Sequence, residues 1–174
     1  DRQTVDANDV GEYKANALCS TYSALHHKGN GDDIEFRTIL DWFSFATPLP
    51  EDIDAIICVA DNHEARNAAL QRADDLGIMA YIGGNEYLDS QAYAYHRDWC
   101  HTARDPRVRY PAITTSHEGS PFRCTGEAQV ASPQLAVANL ACAAKLLHLM
   151  WVYERWLREN RSQLNEDAIN ALPY

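Results

Sequence analysis

Apolar positions along the chain change their period several times, and each change marks an element. Asp54 to Ala60 contains an unbroken run, Ala55-Ile56-Ile57-Cys58-Val59-Ala60, with β-branched residues inside it. Such a run predicts a buried strand, parallel and central in its sheet. It ends at Asp61-Asn62. From there to Gly77 the small apolar residues Ala65, Ala68, Ala69 and Ala73, with Leu76, share one helical face. Ile78–Ile82 reads as the next strand and Gly83-Gly84-Asn85 as a turn. Gln91–His96 alternates as a further strand, for which antiparallel pairing is a candidate.

Upstream, Val10, Tyr13, Ala17, Leu18, Tyr22 and Leu25 predict a helix over Val10–His27, with Asp9 as N-cap and Gly29-Asn30-Gly31 as its stop. Ile34 to Leu40 alternates like a strand, and Thr47–Asp52 is a turn-rich link. Downstream, prolines and glycines interrupt every pattern from Arg97 to Gln129, a long irregular loop. Ser132-Pro133 then has the signature of a helix start, and the helix runs towards Glu159. Its first half is apolar nearly all round, which suits a core helix or a subunit interface. Residues 161–174 form a polar tail. Strands and helices in this order predict an α/β fold.

Asp61 is the first position where the pattern points to chemistry. A carboxylate at the C-terminal end of a strand, opening onto a helix, sits at the edge where open α/β sheets bind ligands. Capping of that helix by Asp61 or Asn62 is the competing reading.

Bulk composition narrows the setting. With 174 residues and 46% hydrophobic content the chain can build one domain with a core. A net charge of −10 disfavours a nucleic-acid groove. The five cysteines are scattered, with no C-x-x-C, which fits a reducing, cytoplasmic compartment better than a disulfide framework or zinc ribbon. The apolar tract Leu135–Val152 carries Asn139, Lys145 and His148 and reads as a buried helix rather than a membrane span. No G-x-G-x-x-G or P-loop is present. The first residue is not Met, and the expectation is that the true N-terminus lies upstream.

Arg2-Gln3, Gly11-x-x-Lys14 and Asp61-Asn62-x-x-x-Arg66 occur in that order. Together with Asp9–Ala15, Tyr81-Ile82-Gly83-Gly84 and Gln91-Ala92-Tyr93, this series resembles the ThiF/MoeB superfamily, the adenylating fold of ubiquitin-activating enzymes and their bacterial relatives. The likeness covers most of residues 2–150. It departs from the family at Ala60, where Thr or Ser is usual, and in lacking the zinc-binding Cys pairs. The family's Gly-rich loop and the acidic residue after its second strand would lie before Asp1.

The resemblance implies a Rossmann-like, mostly parallel sheet flanked by helices. The activity implied is ATP- and Mg²⁺-dependent adenylation of the C-terminal carboxylate of a small ubiquitin-like or sulfur-carrier protein, in a homodimer. Arg2, Gln3 and Lys14 would contact phosphates. Asp61 would hold Mg²⁺, with Asn62 beside the nucleotide, and Arg66 would steady Asp61 or touch the substrate. Such chemistry needs charge neutralisation and in-line positioning above all. Cys124, in Cys124-Thr125-Gly126-Glu127, is a candidate acyl-accepting thiol, with Arg123 and His117 as sources of positive charge.

Without the Gly-rich loop, this chain alone is expected to be catalytically weak. An inactive docking or dimerisation subunit is the alternative, and a nicotinamide-dependent dehydrogenase a remoter one. Cys100 with His96 and His101 is a metal candidate, and Cys58 and Cys142 are expected in the core.

Overall fold

The structure, a computed structural model, describes residues 9–27, 34–85, 89–115 and 136–160. It forms two compact units, one ending at Trp42 and one beginning at Phe43.

In the first unit, helix α1 covers Lys14–His26. It starts later than the pattern predicts. Asp9 is not its cap, and Tyr13 stands at the N-cap with no side-chain hydrogen bond. Residues 34–40 are irregular rather than a strand. They lie along α1 instead: the Cys19 thiol donates to the Phe36 carbonyl (3.3 Å), the Thr38 hydroxyl donates to Asn16 Oδ1 (3.0 Å), and Phe36 meets the rings of Tyr22 and His26. Alternation makes a strand only where a neighbouring strand accepts its hydrogen bonds. Among the described residues none pairs with this segment.

The second unit is α/β. Strands β1 (Ala55–Cys58), β2 (Met79–Asn85) and β3 (Ser90–Tyr95) form one sheet in the order β1-β2-β3. β1 and β2 are parallel, with Ile57 opposite Tyr81, and β2 and β3 are antiparallel, with Ile82 opposite Tyr93. The described sheet is thus mixed, not mostly parallel. Among the described strands β1 is also not central. It stands at an edge of the described sheet, and only Ile56 and Cys58 of its residues are buried while Ile57 is exposed.

Helix α2 (His63–Leu76) covers one face of the sheet. Asn62 is its cap: Oδ1 accepts the Ala65 N–H at 2.7 Å, satisfying one of the free donors of the first turn. Gly77 closes the helix at φ +67°, a left-handed conformation that suits glycine. Ala65, Ala68, Ala69 and Ala73 are buried as the pattern predicts. Leu70 is buried as well, whereas Leu76, the last residue of the helix, is 37% exposed.

Helix α5 (Ala136–Asn160) covers the other face, burying Ala138, Cys142, Leu146 and Tyr153 against β2 and β3. Its opposite side carries exposed Val137, Leu140, Leu147 and Trp151. Ser132 and Pro133, read as the helix start, lie outside the described residues, as does the tail 161–174.

Gly83-Gly84-Asn85 is not a turn but the end of β2. A Cβ on Gly83 would stand 2.6 Å from Leu146 Cδ1 and 2.9 Å from Cys142 Sγ. These glycines therefore let helices approach the sheet closely; they do not break it.

Within the region read as a loop, a 3₁₀ turn (Arg97–Trp99) and two short helices, α3 (Pro106–Arg109) and α4 (Ala112–Thr115), pack beside α2 and the sheet. Trp99 and Ile113 enter the core. Among the described residues no helix is long and apolar enough to cross a membrane.

Candidate functional site

Parallel pairing of β1 and β2 places their carboxyl ends side by side. Asp61, exposed, follows the end of β1, and Asn62 begins α2. One turn into α2, Arg66 folds back so that its Nε donates to the Ala60 carbonyl at 3.1 Å. Its guanidinium lies over Gly84, where a Cβ would come within 2.7 Å of Nη2. Arg66 is thus held in place by the backbone of the strand end.

At the end of β2, the Asn85 amide donates to Asn139 Oδ1 on α5. His63, the first residue of α2, has a buried Nδ1 with no hydrogen-bond partner among the described residues. Burial, and then the nearby Arg66 charge, push its pKa down and favour the neutral imidazole. The sheet end therefore gathers a carboxylate, a fixed guanidinium, two amides and a neutral imidazole. The sequence gives His63, Asn85 and Asn139 no role at this site, since none belongs to a motif and the third joins only through tertiary packing.

Lys14 is the first residue of α1, exposed, and belongs to the first unit, whereas Asp61 belongs to the second. Arg2, Gln3 and Cys124 lie outside the described residues. Cys58 is buried in the core, and burial raises its thiol pKa; Cys142 is buried as well.

A second polar cluster joins β3 to the 3₁₀–α3 segment. Asp105 is fully buried and caps α3. Its carboxylate accepts the backbone N–H groups of His101 and Arg107, both at 2.9 Å, and the Arg107 side chain. Arg107 continues to Asp74 on α2 at 2.7 Å and donates to the Tyr95 hydroxyl, which itself donates to Asp74. Burial works against the charges of Asp105 and Arg107, but their mutual hydrogen bonds prevail. The Asp105 pKa is lowered and that of Arg107 raised. Burial, followed by the bond to Asp74, raises the Tyr95 pKa.

Cys100, His101 and Asp105 place one ligand atom each within 4.8 Å of one another, so two of the three residues read as a metal candidate do converge. His96 does not join them; its Nδ1 accepts the Asp98 N–H, and its ring packs edge-on to Trp99. Asp105 takes its place but is already committed to Arg107 and two backbone donors. The cluster reads as a lock between β3, α2 and α3.

A groove of about 370 Å³ runs beside β3, lined by all of Ser90–Ala94 and by residues of the 3₁₀–α3 segment and of α5. It is separate from Asp61. No family model, curated protein or solved structure matches this chain.

Proposed function

We propose that this chain is a ThiF-like adenylation domain with a Rossmann-like nucleotide end. It would join the C-terminal carboxylate of a small ubiquitin-like or sulfur-carrier protein to AMP, using ATP and Mg²⁺. The observation that carries the reading is the clamp of Arg66 over Gly84, beside the exposed carboxylate of Asp61 at the end of the parallel pair.

The donor set fits the ligands. Asp61 offers a hard oxygen of the kind Mg²⁺ prefers. Arg66, held by the Ala60 carbonyl, presents a permanent cation without needing to reorganise, which is the arrangement that best stabilises accumulating phosphate charge. Asn85 and Asn139 supply neutral amide donors and acceptors at the same end. When bound, ATP supplies an electrophilic α-phosphate and a pyrophosphate leaving group. The protein's own part is to neutralise and align. Arg2, Gln3 and Lys14 would add to the phosphate contacts, and Cys124 would accept the acyl group.

Calorimetry with Mg²⁺–ATP on the wild-type chain and on Asp61→Ala tests this. Micromolar binding that is lost in the variant is expected. Equal binding by both proteins would remove Asp61 from the site and the reading with it.

One observation favours a second reading, a non-catalytic docking or dimerisation subunit. Val137, Leu140, Leu147 and Trp151 are each more than half exposed and recur at coiled-coil spacing. They fall nearly symmetrically about Ala144, so an antiparallel second copy of α5 could cover them around a two-fold axis.

A further inference from the structure

The groove beside β3 has a geometry that points to its occupant. Successive strand residues face opposite sides of a sheet. A cavity touched by every residue from Ser90 to Ala94 cannot lie on either face. It must follow the strand's outer edge, and among the described residues no strand pairs with that edge. An open strand edge offers backbone N–H and C=O groups in a row, the template on which an extended chain adds as a further strand.

The walls add selectivity. Arg104, Arg109 and Lys145 line the groove and, among the described residues, no carboxylate does, in a chain whose net charge is −10. Lys145 reaches the strand itself, with its Nζ donating to the carbonyl and hydroxyl of Ser90. The Arg104 guanidinium stacks over the Trp99 ring at 5.2 Å, and Tyr93 stacks with Tyr110 at 6.1 Å. Trp99 is 1% exposed, and its indole N–H has no hydrogen-bond partner among the described residues. A buried donor of this kind calls for an acceptor.

We propose that the outer edge of β3 is a docking groove for an extended, acidic peptide segment, which pairs with the strand through its backbone and meets Arg109 and Lys145 through its side chains. The proposal uses none of the residues assigned to adenylation and stands whether or not that reading does.

The test is fluorescence anisotropy on the full chain with labelled hexapeptides that alternate Val with Glu, Ser or Lys. The Glu peptide is expected to bind in the range of about 10–100 μM, with the Ser peptide at least about fivefold weaker and the Lys peptide weaker still. Arg109→Gln and Lys145→Gln, checked for folding by circular dichroism, are each expected to weaken the Glu peptide about two- to fivefold. N-methylation of alternate residues supplies the backbone readout. Methylation in one phase removes the inter-strand donors and abolishes binding, whereas the other phase faces away and is tolerated.

Three results would each overturn the proposal: no binding of the Glu peptide at about 1 mM, equal binding of the Lys peptide, or indifference to both methylation phases. A free aryl carboxylate that displaces the peptide and binds as tightly on its own would also overturn it, by making the groove a small-molecule site.

Discussion

Removing Arg107 should cost more stability than any other single side-chain truncation in the polar clusters. Its partner Asp105 is fully buried, and the Arg107 side chain is itself only 15% exposed. In Arg107→Ala the carboxylate keeps two backbone N–H donors but loses the guanidinium and stays out of water. Breaking a buried pair from one side typically costs about 3–5 kcal/mol, a large share of the roughly 5–15 kcal/mol available to a domain of this size.

The pH dependence follows from the direction of the Asp105 shift. Its folded pKa is depressed, so its contribution is present above the unfolded value and is lost as pH falls through the folded one. The gap between wild type and Arg107→Ala should therefore be widest near neutrality. It should narrow below about pH 4, the ordinary carboxylate range, where Asp105 no longer carries charge in the unfolded chain. Urea denaturation followed by tryptophan fluorescence measures this, because Trp99 packs in the same segment. Asp105→Asn is the companion variant, keeping the shape while removing the charge. A loss below about 1 kcal/mol at pH 7, or a loss that does not change with pH, would refute the account of this cluster as a charge-dependent lock.

Other consequences can be checked with the same tools. Gly83→Ala forces a methyl group against Leu146 and Cys142 and should cost about 1–3 kcal/mol in urea melts. Adding Leu146→Ala should not restore full stability, since it exchanges the clash for a cavity. Gly84→Ala instead displaces the outer end of Arg66, so calorimetry should show weakened Mg²⁺–ATP binding with a smaller loss of stability. Asn62→Ala removes the α2 cap and should cost about 1 kcal/mol in urea melts. If α5 pairs with a second copy, Leu147→Glu should shift sedimentation to the monomer and remove the concentration dependence of the melting temperature, while the protomer stays folded because Leu147 is 65% exposed within it.

Local rules account for much of the second unit. The apolar run before Asp61, the alanine face of α2, the Gly77 stop and the alternation of β3 each follow from side-chain periodicity and backbone preference, which act within a few residues. The position of Asp61 at a strand end is legible for the same reason, and so are the buried Cys58 and Cys142.

Longer-range contacts decided the rest. Residues 34–40 alternate correctly, yet the partner they meet is α1, so no strand forms. Gly83-Gly84 has the composition of a turn, but Leu146 and Arg66 need the space a side chain would fill, and the chain continues as strand. Asn62 rather than Asp61 caps α2, although both have the chemistry. Asn139 reaches Asn85, and Arg107 reaches Asp74 and Tyr95, only because separate elements pack together. The groove along β3 exists only because, among the described residues, the sheet order leaves that edge open. Periodicity tells a residue which face it occupies; what lies opposite that face is settled by the fold.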